Sequence, residues 1–365
     1  MTSLRRVLIV QPYGIGDLLF VTPVLRALRL IPTVETVDLV LGSRTEEVVN
    51  SNPHADEIFA VDKDLFHRRK PLENFSEIAS LTRRLRKKKY DLLLDYSLRG
   101  EYAFWARFFL GIPRTAGFDY KGRGFLHTHR LPIPNGFTAR HAVDFFCGLA
   151  EKAGVPAEDR FLEFYLTDED REMTKQQTRP YIVVSPGGGE SWGRDAHFKR
   201  WPVRFFAELL NRLEGRTGSE GVFILGSSGE KNLGDELKNL LRLPAVNLAG
   251  ELTLTESAAL IENAALFAGN DGGLVHLARS FRVPLIAFYG PVDPEVYGPY
   301  PPSKEAAAVF KEGLECRPCY QKFRYNAACE HRDCLQALTP AEVLDRLDSR
   351  AFFDSLSDNA AKGSF

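Results

Sequence analysis

Three stretches of the chain place glycines beside a carboxylate, a lysine or a histidine, the residue types that hold phosphates or move protons. The first, VLIVQPYGIGDLLFVTPVLRALR from Val7 to Arg29, has the pattern of strand, glycine loop and helix. It offers Gly14 and Gly16 but no third glycine, and Asp17 follows at once. A GxGxxG dinucleotide loop turns backbone N–H groups toward phosphate, where a carboxylate is of no use. A cap on the following helix is one reading of Asp17.

The second stretch is VVSPGGGESWGRDAHFKRWP. A strand ends at Ser185, the glycines Gly187 and Gly188 follow, and a helix is expected to begin near Pro202, where a missing N–H costs nothing. Glycines let the backbone approach a ligand closely, and Lys199 could reach a phosphate. A flexible surface loop would look the same. The third stretch, ALFAGNDGGLVHLARSFRVPLIAFYGPVDPEVYGP, ends a strand at Asn270 and Asp271. Gly272 and Gly273 then open a helix through His276, and a helix N-terminus is an anion site. Asp271 suits sugar hydroxyls or caps this helix, while His276 is either core or an aid to a leaving diphosphate.

Four of the five cysteines, Cys316, Cys319, Cys329 and Cys334, form a C-x2-C-x9-C-x4-C pattern. Structural zinc or iron on four thiolates, redox-labile thiols without metal, and a disulfide all remain open. Cys147, in VDFFCGLA, has the setting of a small core residue.

The elements that must position these residues follow from alternation. Apolar runs RVLIVQP, TVDLVLG, EIFAV, DLLLDYS, YIVVSPG, GVFILGS, AVNLAG, LFAGND and PLIAFYG alternate with amphipathic stretches, which predicts α/β domains with parallel sheets. At 365 residues the chain has room for two domains, and 44% hydrophobic with 26% charged residues is a globular composition. The expected division is an N-terminal Rossmann-like domain over 1–166, a polar linker over 167–180 and a second domain over 181–338. The last carries the cysteine-rich loop 316–334, and a C-terminal helix and tail occupy 339–365. Two such domains would face a central cleft. No run of 18 apolar residues occurs, and MTSLRRVLIV has the pattern of a strand rather than a signal peptide, so a cytoplasmic protein is expected. Nucleic acid is not among the expected partners of a chain with net charge −1. Between Val61 and Arg130, however, 16 Lys+Arg face 8 Asp+Glu, concentrated in HRRK (67–70) and RRLRKKK (83–89). That segment is either a solvated helix face or a surface for an anionic acceptor or the inner membrane leaflet.

From Arg6 to about Leu347 the chain resembles glycosyltransferase family 9, the ADP-heptose:lipopolysaccharide heptosyltransferases. The resemblance rests on GIGDLLFVTPVLRALR, on PGGG followed by KRWP, and on NDGGLVHLARSFRVPLIAFYGPVDP. It implies a GT-B fold and inverting transfer of a sugar, heptose from ADP-heptose, onto a hydroxyl of a lipopolysaccharide core or related envelope glycan. The implied partners are thus a nucleoside-diphosphate sugar and an anionic glycolipid, with no cofactor needed for catalysis. In the family the aspartate of the first glycine loop is the general base, and Asp17 matches it. Lys199 matches the lysine that faces the donor phosphates. Asp271, Gly273 and His276 match a donor motif whose usual form is Asp-Thr-Gly, with Gly272 here in place of threonine. Glu230, in GSSGEKN, falls where the family has a ribose-binding acid. Cysteines recur in this region of the family, and some relatives that modify autotransporters carry iron on four of them.

Two other classes are weighed against this one. A nicotinamide dehydrogenase is disfavoured by the missing third glycine and by the absence of an acid at the end of TVDLVLG. A non-catalytic sugar-nucleotide-binding protein has no need of Asp17. Within the family, a non-heptose donor or a protein acceptor remains open.

Overall fold

The computed structural model describes residues 4–62, 71–172, 174, 175, 177, 179–189 and 193–354, so the HRRK run lies outside the described residues. The chain divides into two compact units, Met1–Tyr165 and Leu166–Phe365. The first holds β1 (Arg6–Gln11), β2 (Thr36–Gly42), β3 (Ile58–Val61), β4 (Leu92–Asp95), β5 (Arg114–Asp119) and β6 (His129–Pro132). They form one sheet in the order β3-β2-β1-β4-β5-β6, and every pairing is parallel. Val7, Leu8, Ile9 and Val10 of β1 are fully buried, as expected of a central parallel strand covered on both faces.

The second unit holds β7 (Tyr181–Ser185), β8 (Gly221–Ile224), β9 (Ala245–Asn247), β10 (Leu266–Asn270), β11 (Leu285–Tyr289) and β12 (Ala306–Phe310). Its parallel sheet runs β12-β11-β10-β7-β8-β9, the same winding as the first. Both are doubly wound Rossmann sheets. In each, the crossovers part company at one point, between β1 and β4 and between β7 and β10, and a crevice opens there at the strand C-termini. The segment before β7 is tied to its own unit, because Arg171 forks onto Glu262 with two contacts of 2.8 Å.

All nine strands expected from apolar runs are present. Three others carry weaker signals: β5 (RTAGFD) contains a glycine, β6 (HRLP) ends in proline and β12 (AAAVF) is mostly alanine. β6 and β12 lie at sheet edges, where proline and small residues are tolerated.

The basic helix Pro71–Lys88 is fixed by one of its own charges. Asp38, buried inside β2, accepts from Lys88 Nζ at 2.7 Å, from Tyr90 Oη at 2.6 Å and from the Glu57 N–H at 3.0 Å. Lys88 also pairs with Glu57, as does Arg84. The RRLRKKK run is therefore not uniformly solvated; Arg83, Arg86, Lys87 and Lys89 remain exposed. Among the described residues no helix is long and apolar enough to cross a membrane.

The second core centres on Trp201, which is fully buried and stacks on Phe288 at 4.1 Å with ring planes 9° apart. Its indole N–H donates to the Leu338 carbonyl at 2.8 Å. Trp201→Ala should lower the unfolding free energy by about 3–5 kcal/mol, through a large cavity and a carbonyl left unpaired. Urea denaturation of the two proteins measures the difference.

Candidate active site

The first cluster lies where β1 and β4 end. The Gly14 N–H donates to Asp17 Oδ2 at 3.2 Å, so Asp17 does cap the short helix Ile15–Leu19. A carboxylate accepts about four hydrogen bonds, and one backbone contact does not exhaust it. The loop is braced from below: Gln11 donates through Nε2 to the Asp17 carbonyl and accepts from the Tyr13 N–H. Tyr13 Oη in turn accepts from the Leu98 N–H at 2.9 Å, joining the loop after β1 to the loop after β4. Burial raises the Tyr13 phenol, and the carboxylates of Asp95 and Asp17 push it the same way.

Asp95, the last residue of β4, lies near His127, a neighbour that sequence patterns did not single out. Both are buried, with Asp95 Oδ2 3.5 Å from His127 Nε2. Asp95 Oδ1 accepts from the Ser97 N–H, but Asp95 Oδ2 and His127 Nδ1 have no hydrogen-bond partner. His127 covers Gly117 of β5 so closely that a Cβ there would come within 2.1 Å of Nε2. That glycine is what admits the imidazole.

The second cluster lies where β7 and β10 end. Lys199 and Asp271 are both buried and pair at 3.0 Å from Nζ to Oδ2. Lys199 arrives at the end of the turn Gly193–Lys199, and Asp271 follows β10 directly. Gly272 caps the helix Gly273–Ser280, with His276 buried in its first turn. Gly188 has φ +76° and lies against this end of the helix: a Cβ on Gly272 would stand 2.6 Å from the Gly188 carbonyl oxygen. Asn270, which sequence reading passed over, fixes the arrangement. Its Nδ2 donates to the Pro186 carbonyl at 2.6 Å and its Oδ1 accepts from the Trp201 N–H at 2.9 Å.

Glu230 belongs to the same cluster, yet its carboxylate is buried and engaged by backbone. It accepts from the Ser227 N–H at 2.9 Å and from the Gly189 N–H at 3.1 Å. A Cβ on Gly187 would lie 1.9 Å from Glu230 Oε1, so Gly187 is needed for Glu230 to sit where it does. Arg200, another residue the motifs did not flag, donates to the Gly187 carbonyl at 3.0 Å and lies 3.5 Å from Glu230. The sequence-derived residues Gly187, Gly188, Lys199, Glu230, Asp271, Gly272, Gly273 and His276 thus converge on one end of one sheet. Gly14, Gly16 and Asp17 form a cluster in the other unit.

The four cysteines lie near one another, since the other three thiols act on Cys334. All are free thiols, and among the described residues no group of three or more His, Cys, Asp or Glu side chains is arranged to hold a metal ion. Burial, reinforced by the other three thiols, pushes Cys334 up to about 11 and keeps it protonated at neutral pH. The loop does touch the site: Tyr325 Oη bonds the Asp195 carboxylate, and Arg332 donates to the His197 carbonyl at 3.1 Å. Both contacts brace the turn that presents Lys199.

The Asp95–His127 pair has a measurable signature. Burial moves the Asp95 carboxyl from 3.8 up to about 7 and the His127 imidazole from 6.5 down to about 4. Between those limits the native protein keeps a proton on Asp95 that the unfolded chain releases, so this group's stabilisation falls as pH rises. The unfolded chain protonates His127 where the native state does not, so its contribution rises with pH from about 4 to 6.5. The two slopes oppose each other in the wild type. Relative to it, His127→Asn should lose stability as pH rises from about 4 to 7, and Asp95→Asn should gain. Urea unfolding at stepped pH checks both signs.

The profile of glycosyltransferase family 9 (heptosyltransferase) matches residues 78–328. Lipopolysaccharide heptosyltransferase 2 of Escherichia coli K12 is 27% identical over 369 residues, covering 94% of this chain and 98% of the relative. Among solved structures, E. coli ADP-heptose lps heptosyltransferase II matches with a TM-score of 0.72 at 22% identity, covering 96% of this chain and 99% of its own. E. coli heptosyltransferase WaaC with ADP-2-deoxy-2-fluoro heptose gives 0.69 at 19% identity, with 94% and 99% covered. These two likenesses speak for the fold. With well over half its length matched by the family profile, the chain belongs to glycosyltransferase family 9 and is a glycosyltransferase.

Proposed function

We propose that the chain moves heptose from ADP-heptose, with inversion, onto a hydroxyl of a lipopolysaccharide core or related envelope glycan. The observation that carries this reading is the buried Lys199–Asp271 pair beside Gly188 and the N-terminus of the helix Gly273–Ser280. A leaving diphosphate needs a cation and first-turn backbone amides at close range, and both meet there. Support for heptose and for an envelope acceptor comes from the relatives named above, one of which was solved with an ADP-heptose analogue.

On this reading residues 1–166 bind the anionic glycolipid acceptor and residues 181–338 bind the nucleotide sugar, with 167–180 as linker and 339–365 as C-terminal helix and tail. Asp17 takes the proton of the acceptor hydroxyl while that oxygen attacks the anomeric carbon opposite the diphosphate. The bond from that carbon to the phosphate oxygen breaks, and its electron pair leaves with the diphosphate. Lys199 and the helix amides offset the growing charge. An ammonium has three donors, so it can serve Asp271 and phosphate oxygens together. Asp271 and His276 hold the donor end of the site, and Glu230 shapes the loop that meets the ribose. The reaction takes place in the cytoplasm, at the inner face of the membrane where a lipid-linked acceptor is presented.

Asp17→Asn should leave donor affinity nearly intact and lower turnover by about 100-fold or more, the scale of a lost general base. Lys199→Ala should weaken both donor binding and turnover, because charge on the leaving group grows in the transition state. Calorimetry with ADP-heptose and a mass-spectrometric transfer assay separate the two effects. Full turnover by Asp17→Asn would reduce that residue to a helix cap. A donor screen that finds another nucleotide sugar preferred would overturn heptose while leaving the reaction class.

A further inference from the structure

Of the five phenylalanines of the first unit exposed among the described residues, four are the most exposed: Phe104 at 47%, Phe108 at 60%, Phe109 at 51% and Phe125 at 68%. Three belong to the helix Glu101–Trp105 and its π-helical continuation Ala106–Leu110, whose Ala103, Ala106 and Leu110 face the core. The Phe104 ring lies 4.8 Å from Phe108 and 5.9 Å from Phe109, so the exposed rings form a cluster rather than scattered positions. Single exposed apolar residues need no explanation, but a contiguous aromatic patch does.

Phe125 joins the same surface through its loop. Arg107 donates to the Leu126 carbonyl at 3.4 Å, and Arg123 donates to the Leu98 carbonyl at 3.5 Å. The Arg123 backbone also lies 3.0 Å from the Cβ position of Gly100, just before the helix. Around the rings positive charge predominates, although exposed Glu101 pairs with Arg99 at 2.9 Å. Residues 99–130 contain six Lys+Arg against two Asp+Glu, and Arg99, Arg107, Lys121 and Arg123 are all exposed. Trp105 donates to Thr82 Oγ1 at 2.9 Å, docking this helix on the basic helix with its exposed Arg83, Arg86, Lys87 and Lys89.

We infer that this aromatic and cationic surface inserts into an anionic lipid bilayer, rings at the headgroup–acyl boundary and cations on the phosphates. Apolar area and basic charge add in such binding, and long Arg and Lys stems reach headgroups while their aliphatic parts stay dry. The inference deepens the proposed function, which places the acceptor in a lipid layer, but its chemistry is independent of the donor.

Co-sedimentation of the full chain with phosphatidylcholine vesicles, with and without phosphatidylglycerol, tests it. Wild type should pellet with the anionic vesicles and release as salt rises. The triple variant Phe108→Ser/Phe109→Ser/Phe125→Ser should partition about tenfold less or weaker, since binding scales with buried apolar area. Phe108→Trp should bind as wild type, its added fluorescence shifting to the blue on anionic vesicles alone. Equal pelleting of wild type and the triple Ser variant, or emission of Phe108→Trp unmoved by anionic lipid, overturns the inference. So does lipid-free self-association of wild type that the Ser variant abolishes, because the patch would then serve a second copy. Heptose transfer to a water-soluble acceptor oligosaccharide should be the same for wild type and the Ser variant. Absence of that transfer in both proteins, with wild type still pelleting and the Ser variant not, would sink the proposed function and leave the surface standing.

Discussion

The carboxamide of Asn270 is the joint on which the second cluster is built. It is 1% exposed, and its two ends hold two backbone segments, the Pro186 carbonyl before the glycine loop and the Trp201 N–H after the Lys199 turn. Neither segment belongs to a strand or helix at that point, so neither has a ladder partner to satisfy it. Without Asn270 both groups would be buried and unpaired, a condition native structures avoid. Trp201 passes the constraint on, since its ring is locked by Phe288 and by the Leu338 carbonyl. The position of Lys199, two residues earlier, follows from these contacts rather than from the lysine itself.

The two units repeat one winding and place their polar clusters at the same topological point, yet the chemistry gathered there differs. In the first sheet the divergence of β1 and β4 collects Asp17, Tyr13 and Asp95, groups that accept or share protons. In the second, the divergence of β7 and β10 collects Lys199, Arg200 and first-turn amides, groups that attract anions. The crevice is a property of strand order, and the loop residues decide its use. No short-period sequence repeat betrays this duplication, because β-strand packing needs only apolar side chains of suitable size.

Most inner strands were legible because burial on both faces demands apolar runs, as in VLIV of β1 or LFA of β10, but β5, broken by a glycine, was not. Edge strands divided: EIFAV and AVNLAG announced β3 and β9, whereas β6 and β12 carry proline or alanine and gave no such run. The glycine-bearing loops announced themselves, and Gly187, Gly188 and Gly272 prove to sit where a Cβ would collide with Glu230, Asn270 or backbone. Asn270, Arg200 and His127 act through partners 13 to 84 residues away or through packing on another strand, and such pairings have no signature in local spacing. The cysteine spacing was legible as a cluster, and the four thiols do lie close enough for three of them to act on Cys334, but spacing alone does not choose among metal, free thiols and disulfide.

If the Lys199–Asp271 pair faces the donor diphosphate, as proposed, it gives that site a threshold. A bare buried ammonium would trap any small phosphate that diffused past. With its counter-ion already in place, the lysine offers an incoming monoanion little net attraction, because each gain against Nζ is met by repulsion from the carboxylate a few ångströms behind it. Only a ligand that adds other contacts, such as hydroxyls for the carboxylate and a second phosphate for the helix amides, gains from entering. On the proposed reading, the aspartate that looks misplaced beside a diphosphate is what keeps inorganic phosphate from occupying the site at cellular concentrations.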